Sequence, residues 1–179
     1  KKQISELISN YSFSMKNHLR DKMIVEEIEY NKSLSKEEYT ESDHKPNLIA
    51  KKLYLETKKL YDNKHFSGNI YITIDEEIKE LTDVVGKCER IKKTPIPYSY
   101  NIFLKKFIFI YTFTLPVGLA TDFFYWSIPI SIFILYILAS LELLAEEIEN
   151  PFGEDANDLP VDNICENIKK NVDEILTTH

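Results

Sequence analysis

Residues 107–141 read FIFIYTFTLPVGLATDFFYWSIPISIFILYILASL, and Asp122 is the only charged residue among them. Charge crowds both edges of this stretch. Lys87, Arg90, Lys92, Lys93, Lys105 and Lys106 come before it, and Glu142, Glu146 and Glu147 come after it. The mean hydropathy of −0.27 describes neither region, because it averages an apolar block with two highly charged flanks. Two helical spans fit the block, from Tyr98 to about Leu119 and from Phe123 to about Leu144. Each is about 22 residues, or roughly 33 Å at helical rise, which matches the hydrocarbon core of a bilayer. A buried helical hairpin in a soluble core is the competing reading. Soluble cores rarely hold so long a stretch with a single charge.

The edges supply orientation. Between Phe107 and Lys169 there is no Lys or Arg, so the positive cluster before the first span places both long flanks in the cytosol. The turn expected at Thr121 and Asp122 then faces outward, with Tyr125 and Trp126 at the interface. Lys105 and Lys106 can snorkel to headgroups. Pro116 and Pro129 each free a backbone carbonyl, which favours packing in a bundle or oligomer over two isolated anchors. The chain therefore divides into a cytosolic helical region (1–97), a transmembrane hairpin (98–144), and an acidic segment with a C-terminal helix (145–179). The expected class is an all-α membrane protein located in the cell (inner) membrane.

The flanks read as amphipathic helices. Ile4, Leu7, Ile8, Tyr11, Met15 and Leu19 recur at helical spacing. A polar stretch from Asn31 to Pro46 reads as loop with room for one short helix, and Asn47 is a candidate cap for a helix carrying Leu48, Ile49, Leu53 and Leu60. Asn63 to Gly68 reads as a turn. The segment from Ile70 to Ile74 alternates like a strand, but Ile70, Ile74, Ile78, Leu81 and Val85 keep a helical register and no partner strand is evident. Val161, Ile164, Ile168, Val172 and Ile175 mark the last helix.

Composition excludes several functions. A net charge of −7 disfavours nucleic acid as a partner, since phosphate neutralisation needs excess Lys and Arg. Cys88 and Cys165 lack metal or redox spacing and read as reduced thiols. His18, His44, His65 and His179 show no ligand spacing, and no nucleophile elbow or phosphate loop is present, so the chain reads as a non-enzyme. It begins Lys-Lys rather than Met, which predicts a start inside a longer protein.

Two motifs flank the spans. Cys88-Glu89-Arg90-Ile91, Thr94-Pro95-Ile96-Pro97 and Tyr100 lead into the first. Glu142, Glu146-Glu147 and Asn150-Pro151-Phe152-Gly153-Glu154-Asp155 follow the second. Together they resemble the bestrophin family, and more closely its bacterial branch, from about Gly86 to Leu176. The resemblance implies a homopentameric ion channel whose partners are inorganic ions and the lipid membrane. It implies chloride and other anions as the conducted species, with a cation-selective channel of the same architecture as the near alternative. It also implies two further helices upstream, one forming the pore's hydrophobic neck. A non-conducting, membrane-anchored helical scaffold is the alternative from another class.

The resemblance also assigns residues. Ile96, held by Pro95 and Pro97, matches the cytosolic aperture, where a ring of apolar side chains can resist hydration. Glu147, Asn150, Asp155 and Asp158 match the place where calcium-gated relatives hold Ca²⁺, and hard oxygen donors suit that ion. Against this, Asn150-Pro151 also serves as a helix stop and Asp158 as a cap for the last helix. Ca²⁺ is the one cofactor considered.

Overall fold

The computed structural model describes residues 2–94 and 97–177, with side chains as far as residue 175. The regular elements among these residues are all helical, and the one β feature is an isolated bridge between Asn31 and Leu34. They form two compact units, one drawn from residues 1–92 and 159–179, the other from 93–158. The final helix therefore belongs with the N-terminal region, although the sequence separates them by more than 60 residues.

In the first unit, α1 (Lys2–Leu19) packs against α3 (Lys45–Asp62) and α7 (Val161–Thr177). Leu7, Tyr11, Ile49, Ala50, Leu53 and Cys165 form the core, together with Val85 of α4 (Gly68–Lys93). The strand alternative for Ile70 to Ile74 gives way to helix, because the four-residue register brings Ile78, Leu81 and Val85 onto this core. Tyr11 donates its hydroxyl proton to the Leu81 carbonyl at 2.5 Å, which joins α1 to α4.

The link between α1 and α3 is fastened by side chains that replace backbone partners. The Asn10 amide donates to the Glu29 carbonyl at 2.7 Å and accepts from the Glu29 N–H at 2.8 Å, and Asn10 is 1% exposed. Asn31 Oδ1 accepts from the N–H groups of Ser33 and Leu34 and so closes the next turn. Ser35 caps the short α2 (Lys36–Glu41) by accepting from the Glu38 N–H. The expected cap at Asn47 is displaced. His44 takes that role and accepts from the Asn47 N–H, because Pro46 fits the first helical turn and extends α3 toward its N-terminus.

Lys16 is 2% exposed and bridges Glu27 at 2.6 Å and Asp162 at 2.9 Å, while Arg20 reaches Asp162 at 2.7 Å. Burial alone would lower the Lys16 pKa, but hydrogen bonds to Glu27 and Asp162 outweigh it and raise the ammonium above its ordinary value. The hydrogen bond from Lys16, with that from Arg20 after it, holds the Asp162 carboxyl below its usual range.

In the second unit, α5 (Tyr98–Phe123) and α6 (Ser127–Glu149) fold back on each other. The expected turn at Thr121 and Asp122 lies inside α5, since neither residue interrupts helical hydrogen bonding. The chain reverses instead at Phe124, which adopts a positive φ of 47°, and a 3₁₀ turn over Phe124–Trp126 leads into α6. The expectation for Pro129 also changes. It stands in the first turn of α6, where an N–H has no helical partner to lose, and only Pro116 is interior to its helix.

Candidate functional site

The α5–α6 pair is inverted relative to a water-soluble hairpin. Its buried residues are Thr112, Ser127 and Ser131, whereas Phe109 is 69%, Phe113 75%, Phe133 63% and Tyr136 69% exposed. Each buried hydroxyl donates to a nearby backbone carbonyl, Thr112 to Ile108 and Ser131 to Ser127 within their helices at 2.7 Å, and Ser127 to Phe124 of the 3₁₀ turn at 2.6 Å. Small and hydroxylated residues at a helix contact let backbones approach closely, and outward aromatics leave the apolar surface for surroundings other than water.

A polar zipper closes the charged end of the pair. Lys105 lies 3.5 Å from Glu142 and 3.3 Å from Glu146, and the Asn101 amide donates to Glu149 at 3.2 Å. Lys105 thus has specific partners on α6, beyond the snorkelling role that its position in the sequence suggests.

Of the expected aperture residues, Pro95 and Ile96 lie outside the described residues. Pro97 precedes α5 with an extended backbone, and its carbonyl accepts from the Tyr100 N–H at 2.8 Å. The proline therefore sets the start of the helix, as the Thr-Pro-Ile-Pro motif predicts.

The acidic residues after α6 sit on a compact turn. Glu149 ends the helix and Asn150 follows it. Asp158 does not cap α7, which starts three residues later. Its carboxylate instead accepts from the Asp155 N–H at 2.7 Å, while Glu147 accepts from the Asn157 amide at 2.7 Å. Gly153 makes this closure feasible, since a Cβ there would stand 2.5 Å from Asp158 Oδ2 and 3.3 Å from Asn150 Nδ2. Asn157, which the sequence did not single out, is the residue that ties the turn back to α6.

The histidines hold a second departure from the sequence reading. His18, near the end of α1, and His44, at the start of α3, converge on Glu89 of α4 although their spacing gave no sign of it. Both Nε2 atoms meet the same carboxylate oxygen, at 2.5 Å and 2.9 Å, and the two rings lie 4.5 Å apart. The hydrogen bond to His18 is the main cause holding the Glu89 carboxyl below its ordinary pKa, with burial opposing it and His44 adding to it. Among the described residues, no other group of three His, Cys, Asp or Glu side chains brings its ligand atoms this close together.

This architecture has clear relatives. A family model described as Bacterial/Fungal Bestrophin protein matches residues 1–174. A voltage-dependent anion channel-forming protein of Nostoc is 33% identical over 173 residues, covering 96% of this chain and 56% of that protein. One from Escherichia coli K12 is 38% identical over 107 residues, covering 60% of this chain and 35% of the relative. The chain thus spans about half the length, or less, of the curated relatives it matches. A crystal structure of a bacterial bestrophin homologue from Klebsiella pneumoniae, solved by zinc anomalous phasing, superposes with a TM-score of 0.90 at 30% identity, covering 99% of this chain and 66% of that one. The match over nearly the whole sequence and the shared fold lead to one assignment: the chain belongs to the bacterial and fungal bestrophin family.

Proposed function

We propose that this chain is the larger part of a subunit of an anion-conducting, homopentameric channel, with α5 and α6 crossing the inner membrane and both flanks in the cytosol. One observation carries the membrane reading: hydroxyl groups are buried between α5 and α6 while the large aromatics face outward. Anion conduction is supported by the relatives, which are named voltage-dependent anion channel-forming proteins. In this reading Ile96 contributes to an apolar ring at the cytosolic end of the pore, and Pro95 and Pro97 hold it in place. A constriction of that kind acts through the cost of dewetting and the side-chain volume at the narrowest point.

The test is anion efflux from liposomes containing the full-length protein. Wild-type protein is expected to release chloride, and Ile96→Ala to change the rate at equal protein density. No efflux from correctly assembled protein would overturn the channel reading. Equal rates for the two proteins would remove Ile96 from the aperture.

The acidic turn supports a subsidiary proposal, that Glu147, Asn150, Asp155 and Asp158 hold Ca²⁺. Their oxygen donors suit a hard cation, and Gly153 leaves room beside Asp158 and Asn150. The Asp158 and Glu147 carboxylates already serve Asp155 and Asn157, so these residues would have to turn toward the ion. Calorimetry with CaCl₂ should give one site per chain, weakened by Asp155→Asn; the absence of heat would dispose of the site.

A further inference from the structure

We infer that His18, His44 and Glu89 form a binding site for a divalent transition-metal cation, with Zn²⁺ the best chemical match. The site is built from three separate helices: the last turn of α1, the cap of α3 and the C-terminal third of α4. One ligand atom from each residue lies within 4.8 Å of the other two. The side chains are 27%, 33% and 22% exposed, which leaves a partly shielded site that an ion can still enter from solvent.

The donor set selects the class of ion. The two imidazoles are borderline ligands and, with one carboxylate beside them, suit Zn²⁺ and its neighbours over Ca²⁺ or Mg²⁺, which take oxygen almost exclusively. Three protein ligands with a water in the fourth position is a common zinc arrangement. Zinc–ligand bonds of about 2.0–2.1 Å put tetrahedral ligands about 3.3 Å apart. The 2.5 Å and 2.9 Å contacts need to open by only several tenths of an ångström to admit the ion. Glu89 supplies the carboxylate ligand between the two imidazoles.

The present hydrogen bonds define what loading must change. His44 Nδ1 accepts from the Asn47 N–H at 3.3 Å, so its Nε2 carries the proton given to Glu89. Coordination through Nε2 moves that proton to Nδ1 and releases the Asn47 amide. The bond given up is long, and a bound cation then ties α1, α3 and α4 at one point. Loading therefore has a local signature apart from any effect on currents: faster hydrogen exchange at Asn47.

The experiment titrates ZnCl₂ into chelator-treated full-length protein, with His65→Ala, an exposed histidine elsewhere, as control. One Zn²⁺ per chain is expected, at low micromolar affinity or tighter. His18→Gln and Glu89→Gln should each weaken it at least tenfold, and His65→Ala should leave it unchanged. X-ray absorption at the zinc edge reads the ligands of the wild-type protein directly, whether or not a variant folds, and should show two imidazoles and an oxygen shell. No stoichiometric zinc, a spectrum without imidazole, or wild-type affinity in folded His18→Gln and Glu89→Gln would overturn the site.

Discussion

Replacing Gly153 by Ala tests whether the turn after α6 is closed by a single carboxylate. The added Cβ would stand 2.5 Å from Asp158 Oδ2. Ordinary contact requires that oxygen to retreat by up to about 0.9 Å. The same oxygen receives the Asp155 N–H at 2.7 Å, and a shift of that size stretches the bond to about 3.6 Å, beyond hydrogen-bonding length. The bond is charge-assisted but exposed, so its loss costs about 1 kcal/mol, or roughly 2–4 °C in Tm for a chain of this size. Asp158→Ala removes the same bond and should cost the same. The informative variant is the double one: once the carboxylate is gone, the methyl group meets only the Asn150 amide, at 3.3 Å, and Gly153→Ala should cost much less than it does beside Asp158. Thermal melts of the four proteins in detergent form a double-mutant cycle with an expected coupling of about 1 kcal/mol. Strictly additive costs would refute the argument, because the methyl group would then be acting through the backbone.

Other consequences concern the first unit. Lys16→Ala removes a buried ammonium from Glu27 and Asp162 and should destabilise by roughly 2–4 kcal/mol in chemical denaturation. Its pH dependence has a definite sign. The depressed Asp162 pKa contributes stability above the ordinary carboxylate range and loses it as pH falls through its lower folded value, while the raised Lys16 pKa contributes stability below the ordinary lysine value and loses it as pH rises through its higher folded value. The difference between wild type and Lys16→Ala should therefore be flat from about pH 5 to about pH 10 and shrink outside that window; a change near pH 7 would point to another group. Asn10→Ala leaves both the N–H and the carbonyl of Glu29 without their side-chain partner and should cost about 2–3 kcal/mol, with faster hydrogen exchange at Glu29 as the local readout. Leu7→Ala, at a position with 0% exposure, should cost about 2–5 kcal/mol, and a loss under 1 kcal/mol would mean the core around α1 collapses into the space.

Regular apolar spacing made the helices legible, and it did so best where one face meets the core. Leu7, Tyr11 and Leu19 are buried as their spacing predicts, although Ile8 from the same set is 36% exposed. The burial of Asn10, Lys16 and Asn17 was not legible, because α1 is enclosed by α3, α7 and the linking segment, and the nitrogen of each side chain donates to a partner beyond α1. In α7 the apolar positions located the helix, but Cys165 is its most buried residue while Ile175 stays 65% exposed. The reversal between α5 and α6 was misplaced onto Thr121 and Asp122, since an unusual φ at an aromatic residue leaves no compositional trace. Pro97 did mark the start of α5, whereas the second span was expected to end near Leu144 and α6 runs on to Glu149, where Asn150-Pro151 acts as the stop. The convergence of His18, His44 and Glu89 had no sequence signal, because the three residues are brought together only by tertiary packing of α1, α3 and α4.

Whether this chain serves an anion-selective pore is decided by a reversal potential. The full-length protein is reconstituted in a planar bilayer with a tenfold KCl gradient, and the voltage of zero current is measured. An anion-selective pore gives a reversal potential displaced toward the chloride equilibrium value, with a sign that inverts when the gradient is inverted. Displacement toward the potassium value, or no current from a protein shown to be assembled in the bilayer, would contradict it.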